Sequence, residues 1–181
     1  MERHRLVLSG AGGQGVITAA IILAEAAVLH EHLNAVQSQS YGAEARGGAT
    51  RSDVIISDSE IYFPKVDQPN TLVCLTQTAY NSYAALIRPG GLLITDSQYV
   101  TVEKKVDARQ VELAMHGEVV EKIGNPVVYN ICMLGALIHL MGLITPESIL
   151  KVLEARLPEK TLGINRAALD IGMTLAATDA V

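Results

Sequence analysis

Tryptophan is absent from this 181-residue chain, and phenylalanine occurs once, at Phe63. Aromatic residues make up 4% against 49% hydrophobic in all, so an aliphatic core has to carry the fold. Charge is scarce as well, at 18%, and mean hydropathy is +0.28, which excludes a disordered polar chain. There is no run of lysine or arginine and the formal net charge is −5, which argues against nucleic acid as a partner. Only two cysteines occur, Cys74 and Cys132, each inside an apolar run and without CxxC spacing. Both read as buried small hydrophobes in a reducing compartment. Two thiolates also fall short of the roughly four that an iron–sulfur cluster takes. The early stretch LVLSGAGGQG is broken by glycines and lacks the layout of a signal peptide, so the expected location is the cytoplasm.

One apolar run, VVYNICMLGALIHLMGLI at 127–144, is long enough to raise the question of a membrane span. Asn130, His139, Gly135 and Gly142 inside it, with no aromatic belt or basic flank, argue against that reading. It reads instead as a helix covered on all sides. The cover comes in part from another subunit, or the helix is the central one of this domain. No repeat, linker or low-complexity segment divides the chain, and residues 1–181 are expected to form a single domain.

Along the chain, RLVLS at 5–9 predicts a first strand, 14–30 a buried helix and 34–39 a second strand. SDVIISDSEIYF predicts a β-hairpin turning at Asp58-Ser59. TLVCLT at 71–76 predicts a further strand, 79–87 a helix stopped by Pro89-Gly90-Gly91, and LLITD the strand after it. A strand at 111–115 and a short helix follow. Thr145-Pro146-Glu147 predicts a helix start, with Thr as N-cap and Pro at the first position, running to about 157. A last helix is expected at 165–176. Strand–helix alternation with near-continuous apolar strands specifies an α/β domain. Its sheet is wound and mostly parallel, with helices on both faces, one hairpin and a helical C-terminal part.

Two stretches carry chemistry. SGAGGQGV places Gly10, Gly12 and Gly15 in the spacing G-x-G-x-x-G, after a strand and opening a helix. Glycines there let backbone amides approach an anion at the positive end of the helix. A nicotinamide or flavin site also wants an acidic residue near the end of the second strand, where Gln37 and Gln39 stand instead. The turn therefore takes another phosphate or carboxylate, or its glycines only permit a tight turn and close packing. The second stretch, SQSYGAEARGGATRSDV at 38–54, packs Tyr41, Glu44, Arg46, Gly47, Gly48 and Arg51 between two apolar runs. The second strand and the glycine turn are expected side by side at the carboxyl edge of the sheet, where ligand crevices form. A plain surface turn with a Glu44–Arg46 pair worth under about 1 kcal/mol is the alternative.

These blocks, with KVDQPNTLVCL, RPGGLLITDS and IGNPVVYNICMLGAL in order, resemble the gamma subunit of 2-oxoacid:ferredoxin oxidoreductases. The likeness is strongest to the 2-oxoglutarate type and extends to the pyruvate and ketoisovalerate types. It runs from about residue 5 to 142 and continues more loosely through the terminal helices. It implies one subunit of an enzyme that oxidatively decarboxylates a 2-oxoacid, joins the acyl group to coenzyme A and reduces ferredoxin. The implied partners are alpha, beta and ferredoxin-like delta subunits. Thiamine diphosphate, magnesium and the iron–sulfur clusters belong to them, and the gamma subunit helps form the coenzyme A side of the cleft.

By the same resemblance Gly12, Gly13, Gln14 and Gly15 match the family's glycine turn. Tyr41, Gly42, Glu44, Arg46, Gly47 and Gly48 match its second block, and Asn125 and Asn130 the polar positions around the apolar helix. Arg46 is then a forked donor to a phosphate of coenzyme A or a carboxylate across an interface, oriented by Glu44. Tyr41 stacks on adenine or fills an interface pocket. The segment containing His116-Gly117 departs from the family and carries no assigned role. No catalytic residue and no metal ligand is expected, and the isolated chain is expected to be inactive. A free-standing dinucleotide oxidoreductase and a ligand-binding or assembly module remain the alternatives.

Overall fold

A computed structural model describes residues 3–41, 49–103 and 106–178, with backbone alone at 40 and 41. The aliphatic runs form β1 (His4–Gly10), β2 (Asn34–Tyr41), β3 (Thr50–Ser57), β4 (Thr71–Cys74), β5 (Gly91–Asp96) and β6 (Ala108–Leu113). Between and after them lie α1 (Val16–His30), α2 (Gln77–Tyr83), α3 (Met115–Ile123), α4 (Tyr129–Met141), α5 (Pro146–Arg156) and α6 (Glu159–Thr178). The six strands form one sheet in the order β2-β3-β1-β4-β5-β6. β1, β4, β5 and β6 are parallel, and β3 is antiparallel to both of its neighbours, β1 and β2.

The hairpin is therefore real but lies elsewhere than expected. It joins β2 to β3 across residues 42–48, and the second run of SDVIISDSEIYF is a loop rather than a strand. Pairing explains the shift: both edges of β3 are taken by β1 and β2, so the run at Ile61, Tyr62 and Phe63 cannot fold back on it as a hairpin partner. Nor do β2 and β1 touch, because β3 stands between them.

Leu6, Leu8, Val54, Ile56, Val73 and Ile94 face a core built with α1, α3, α4, α5 and α6. Val7, Ile55, Leu72, Cys74 and Leu93 face a smaller one with Ala79, Tyr80 and Val66. α4 is buried from Tyr129 to Ile138, and elements of its own chain provide the cover. α6 lies so close that a Cβ at Gly172 would stand 1.9 Å from the Cys132 carbonyl oxygen, and one at Gly135 2.2 Å from that of Leu169. Among the described residues no helix is long and apolar enough to cross a membrane.

The expected cap holds: Thr145 accepts from the Ser148 N–H at 3.3 Å, with Pro146 opening α5. Glu31, just past α1, accepts from the Thr145 N–H at 2.8 Å and its hydroxyl at 2.7 Å. Arg156 at the end of α5 forms a two-pronged ion pair with Glu25. The Thr145 amide holds the Glu31 carboxyl below its ordinary range, and the Arg156 guanidinium does the same for Glu25.

Gly172→Ala should cost about 1–3 kcal/mol, by forcing α4 and α6 apart. Gly163→Ala on the same helix, where nothing lies within 4 Å, should stabilise by about 0.5–1 kcal/mol; urea unfolding midpoints give both. Because the folded values of Glu25 and Glu31 are depressed, the stability they contribute is present above the ordinary carboxylate range. It is lost as pH falls through the folded values. The stability difference between wild type and Glu31→Gln should therefore be full above the ordinary carboxylate range and shrink as pH falls through the folded value, read from urea unfolding midpoints across pH.

Candidate functional site

Gly10 ends β1 with no room for a side chain: a Cβ there would lie 2.4 Å from Gln14 Oε1 and 3.2 Å from Leu75 Cβ. The chain then turns back on itself. The Ala11 N–H donates to Gln14 Oε1 at 2.7 Å, and the Gln14 N–H to the Ala11 carbonyl at 3.3 Å. Gln14 thus braces the turn from within. Gly13 (φ 88°) and Gly15 (φ 72°) adopt the left-handed conformation that favours glycine. Among the described residues nothing lies within 4 Å of a Cβ built on Gly12 or Gly13. α1 starts after Gly15 with no side-chain cap and no acidic residue in its first turn, which leaves its positive end available to an anion.

Register decides what stands beside this turn. Gly10 pairs with Thr50, and Thr50 with Tyr41, in one row across the carboxyl rim. Thr50 therefore stands beside the glycine turn, and Tyr41 one strand further along the same rim. Glu44, Arg46, Gly47 and Gly48, with Gly42, lie outside the described residues, as does the side chain of Tyr41. Ala11, Gly12, Gly13, Gly15, Val16 and Thr50 are among the residues lining a cavity of about 360 Å³ at this rim. Its open glycines and uncapped helix fit a phosphate-bearing group. A nicotinamide dinucleotide fits less well. Its fold sets the second strand beside the first, whereas antiparallel β3 occupies that place here.

Asn130, 8% exposed, supports the turn from α4: its amide donates to the Gly15 carbonyl at 3.3 Å. A Cβ on Gly15 would come within 2.6 Å of that amide. Asn125 caps the short turn Pro126–Val128 by accepting from the Val127 N–H at 3.1 Å. Arg51 works in a different place. It forks onto Asp53 at 2.6 and 3.0 Å, donates to the Val66 carbonyl, and sits 5.4 Å from the Tyr83 ring centre. Asp53 in turn accepts from the Val66 N–H at 3.2 Å, so the pair clamps the loop after β3 onto the sheet.

A polar cluster that sequence reasoning missed holds the start of α4. Asp96, fully buried at the end of β5, accepts from the Tyr129 hydroxyl at 2.8 Å. It also accepts from the N–H groups of His116 and Gln98, each at 2.9 Å. His116 Nδ1 lies 3.1 Å from both the Tyr99 hydroxyl and Gln98 Oε1, its ring edge-on to Tyr99 and Tyr129. Burial, then the Asp96 charge, raises the Tyr129 hydroxyl pKa and pushes the Cys132 thiol up to about 12. Burial also pushes Cys74 up to about 12. The available signal was an aspartate closing the apolar run LLITD, where an unpaired charge is costly. Among the described residues no group of three His, Cys, Asp or Glu is placed to hold a metal ion.

The fold defines an α/β domain of wound-sheet type, with a glycine turn at its carboxyl rim. The chain belongs to the pyruvate ferredoxin/flavodoxin oxidoreductase family, whose model matches residues 5–175. It is 43% identical to 2-oxoglutarate synthase subunit KorC of Methanocaldococcus jannaschii over 176 residues, 96% of this chain and 94% of that protein. A crystal structure of a keto/oxoacid ferredoxin oxidoreductase gamma subunit from Geobacter sulfurreducens superposes with a TM-score of 0.87 at 38% identity. The match covers 97% of this chain and 99% of that one. The 2-oxoglutarate:ferredoxin oxidoreductase of Magnetococcus marinus, solved with 2-oxoglutarate, coenzyme A and succinyl-CoA, shares the fold (TM-score 0.88, 22% identity). There the likeness covers 98% of this chain but 32% of the longer one. The chain thus has the fold of a gamma subunit of this family.

Tyr129→Phe removes one of three donors to a buried carboxylate and should cost about 1.5–3 kcal/mol, read as a lowered thermal midpoint.

Proposed function

We propose that the chain is the gamma subunit of a thiamine-diphosphate-dependent 2-oxoacid:ferredoxin oxidoreductase of the 2-oxoglutarate type. In this reading it performs no bond-breaking step of its own and completes the coenzyme A side of the active-site cleft and the subunit interface. The companion alpha, beta and ferredoxin-like delta subunits carry thiamine diphosphate, magnesium and the iron–sulfur clusters, which supply decarboxylation and electron transfer. The burial that keeps both thiols protonated supports placing the clusters on those chains. Likeness to the KorC protein supports 2-oxoglutarate as the substrate.

The cavity at the glycine turn carries the reading. Gly12 and Gly13, the uncapped start of α1 and Thr50, where the chain rejoins the sheet, meet at this cavity. Backbone N–H groups there suit the phosphates of coenzyme A; in this reading Arg46, oriented by Glu44, donates to a phosphate and Tyr41 stacks on the adenine. Gln14 and Asn130 keep the turn in shape rather than reaching outward.

Gly12→Asp tests this without strain, because the position has free space and needs no left-handed backbone. In the assembled enzyme it should raise the apparent KM for coenzyme A about tenfold or more by setting charge against charge. The KM for 2-oxoglutarate and the melting temperature should hold. Arg46→Ala should move the same constant in the same direction. An unchanged coenzyme A constant in both variants refutes the assignment.

A further inference from the structure

The single phenylalanine of the chain is 63% exposed, and its neighbour Tyr62 is 83% exposed. Both stand on the loop between β3 and β4, and that loop is firmly held. Arg3 donates to the Glu60 carbonyl at 2.8 Å, Ser38 to the Pro64 carbonyl at 3.1 Å, and Arg51 and Asp53 grip Val66. A fixed loop that turns two aromatic rings outward has the character of a preorganised contact.

Charge surrounds it unevenly. Phe63 lines a cavity of about 740 Å³ with Arg5, Lys65, Arg88 and Asp67. A second cavity of about 380 Å³ shares Arg88 and adds His4 and Arg109 along the same rim. Four of the chain's 14 lysines and arginines thus line these two cavities, against one of its 19 carboxylates. The residues precede β1, β4, β5 and β6 or open them, which puts the patch at the amino ends of the strands, opposite the glycine turn.

We infer that this aromatic and cationic rim docks a companion subunit of the oxidoreductase through a surface that presents carboxylates around an apolar pocket, with Phe63 as the anchor. Charge complementarity selects that occupant: a two-fold contact with a second copy would set Arg5, Lys65 and Arg88 against themselves. The inference rests on membership of a multisubunit enzyme and not on the coenzyme A assignment.

The test uses the whole complex, with Phe63 replaced by the photo-cross-linking analogue benzoylphenylalanine. Irradiation followed by peptide mapping should join this position to a companion subunit within an Asp- or Glu-rich segment. Phe63→Ser combined with Lys65→Glu should weaken binding of that purified subunit about tenfold or more and flatten its salt dependence. Both positions are exposed, so the melting temperature of the chain should hold, and the KM for coenzyme A should not move. Cross-linking between two copies of this chain, to a segment without carboxylates, or to nothing overturns the inference and leaves the coenzyme A reading standing. So does a double variant that binds as tightly as the wild type.

Discussion

Everything at the carboxyl rim depends on one antiparallel strand. β3 lies between β1 and β2 and runs against both, so it begins at the level where they end. That register sets Gly10, Thr50 and Tyr41 in a single row at the carboxyl rim. A parallel β3 would have started at the opposite rim, a full strand length away. Hydrogen-bond pairing alone thus sets the start of β3 beside the glycine turn.

The turn itself is held from below. α4 begins with Tyr129 on buried Asp96 and Asn130 on the Gly15 carbonyl, so adjacent residues of one helix start secure both the end of β5 and the end of the glycine turn. α4 in turn keeps its position because Gly135 and Gly172 let α6 approach to backbone contact. Packing of that closeness transmits displacement rather than absorbing it. A ligand rim of bare backbone needs such stiffness, since exposed glycines offer no side chain to adjust.

The two proposed surfaces lie at opposite ends of the sheet. The carboxyl rim has open glycines, a helix end without acidic neighbours and a small cavity suited to phosphate. The amino rim gathers cations around an exposed ring, in a chain whose net charge is −5. A subunit that must hold a mobile ligand and also stay bound to other polypeptides gains from keeping these surfaces apart, because neither then competes for the same atoms.

The strands, the helices, the Thr145 cap and the glycine turn were legible in the sequence, because period, capping and turn chemistry are local. The 2-oxoacid oxidoreductase resemblance was legible too, carried by the blocks at 10–16 and 37–57, and the family match agrees with it. The polarity of β3, the true place of the hairpin and the outward aromatics Tyr62 and Phe63 were not. They follow from which strand edges were already occupied. Asp96 with His116 and Tyr129, and Arg51 with Asp53 and Val66, were hidden for a related reason. Asp53 with Val66, and Asp96 with His116 and Tyr129, lie 13 to 33 positions apart and meet only once the chain has folded. Local chemistry determined the elements, and the non-local pairing of backbone edges decided which of their side chains could act together.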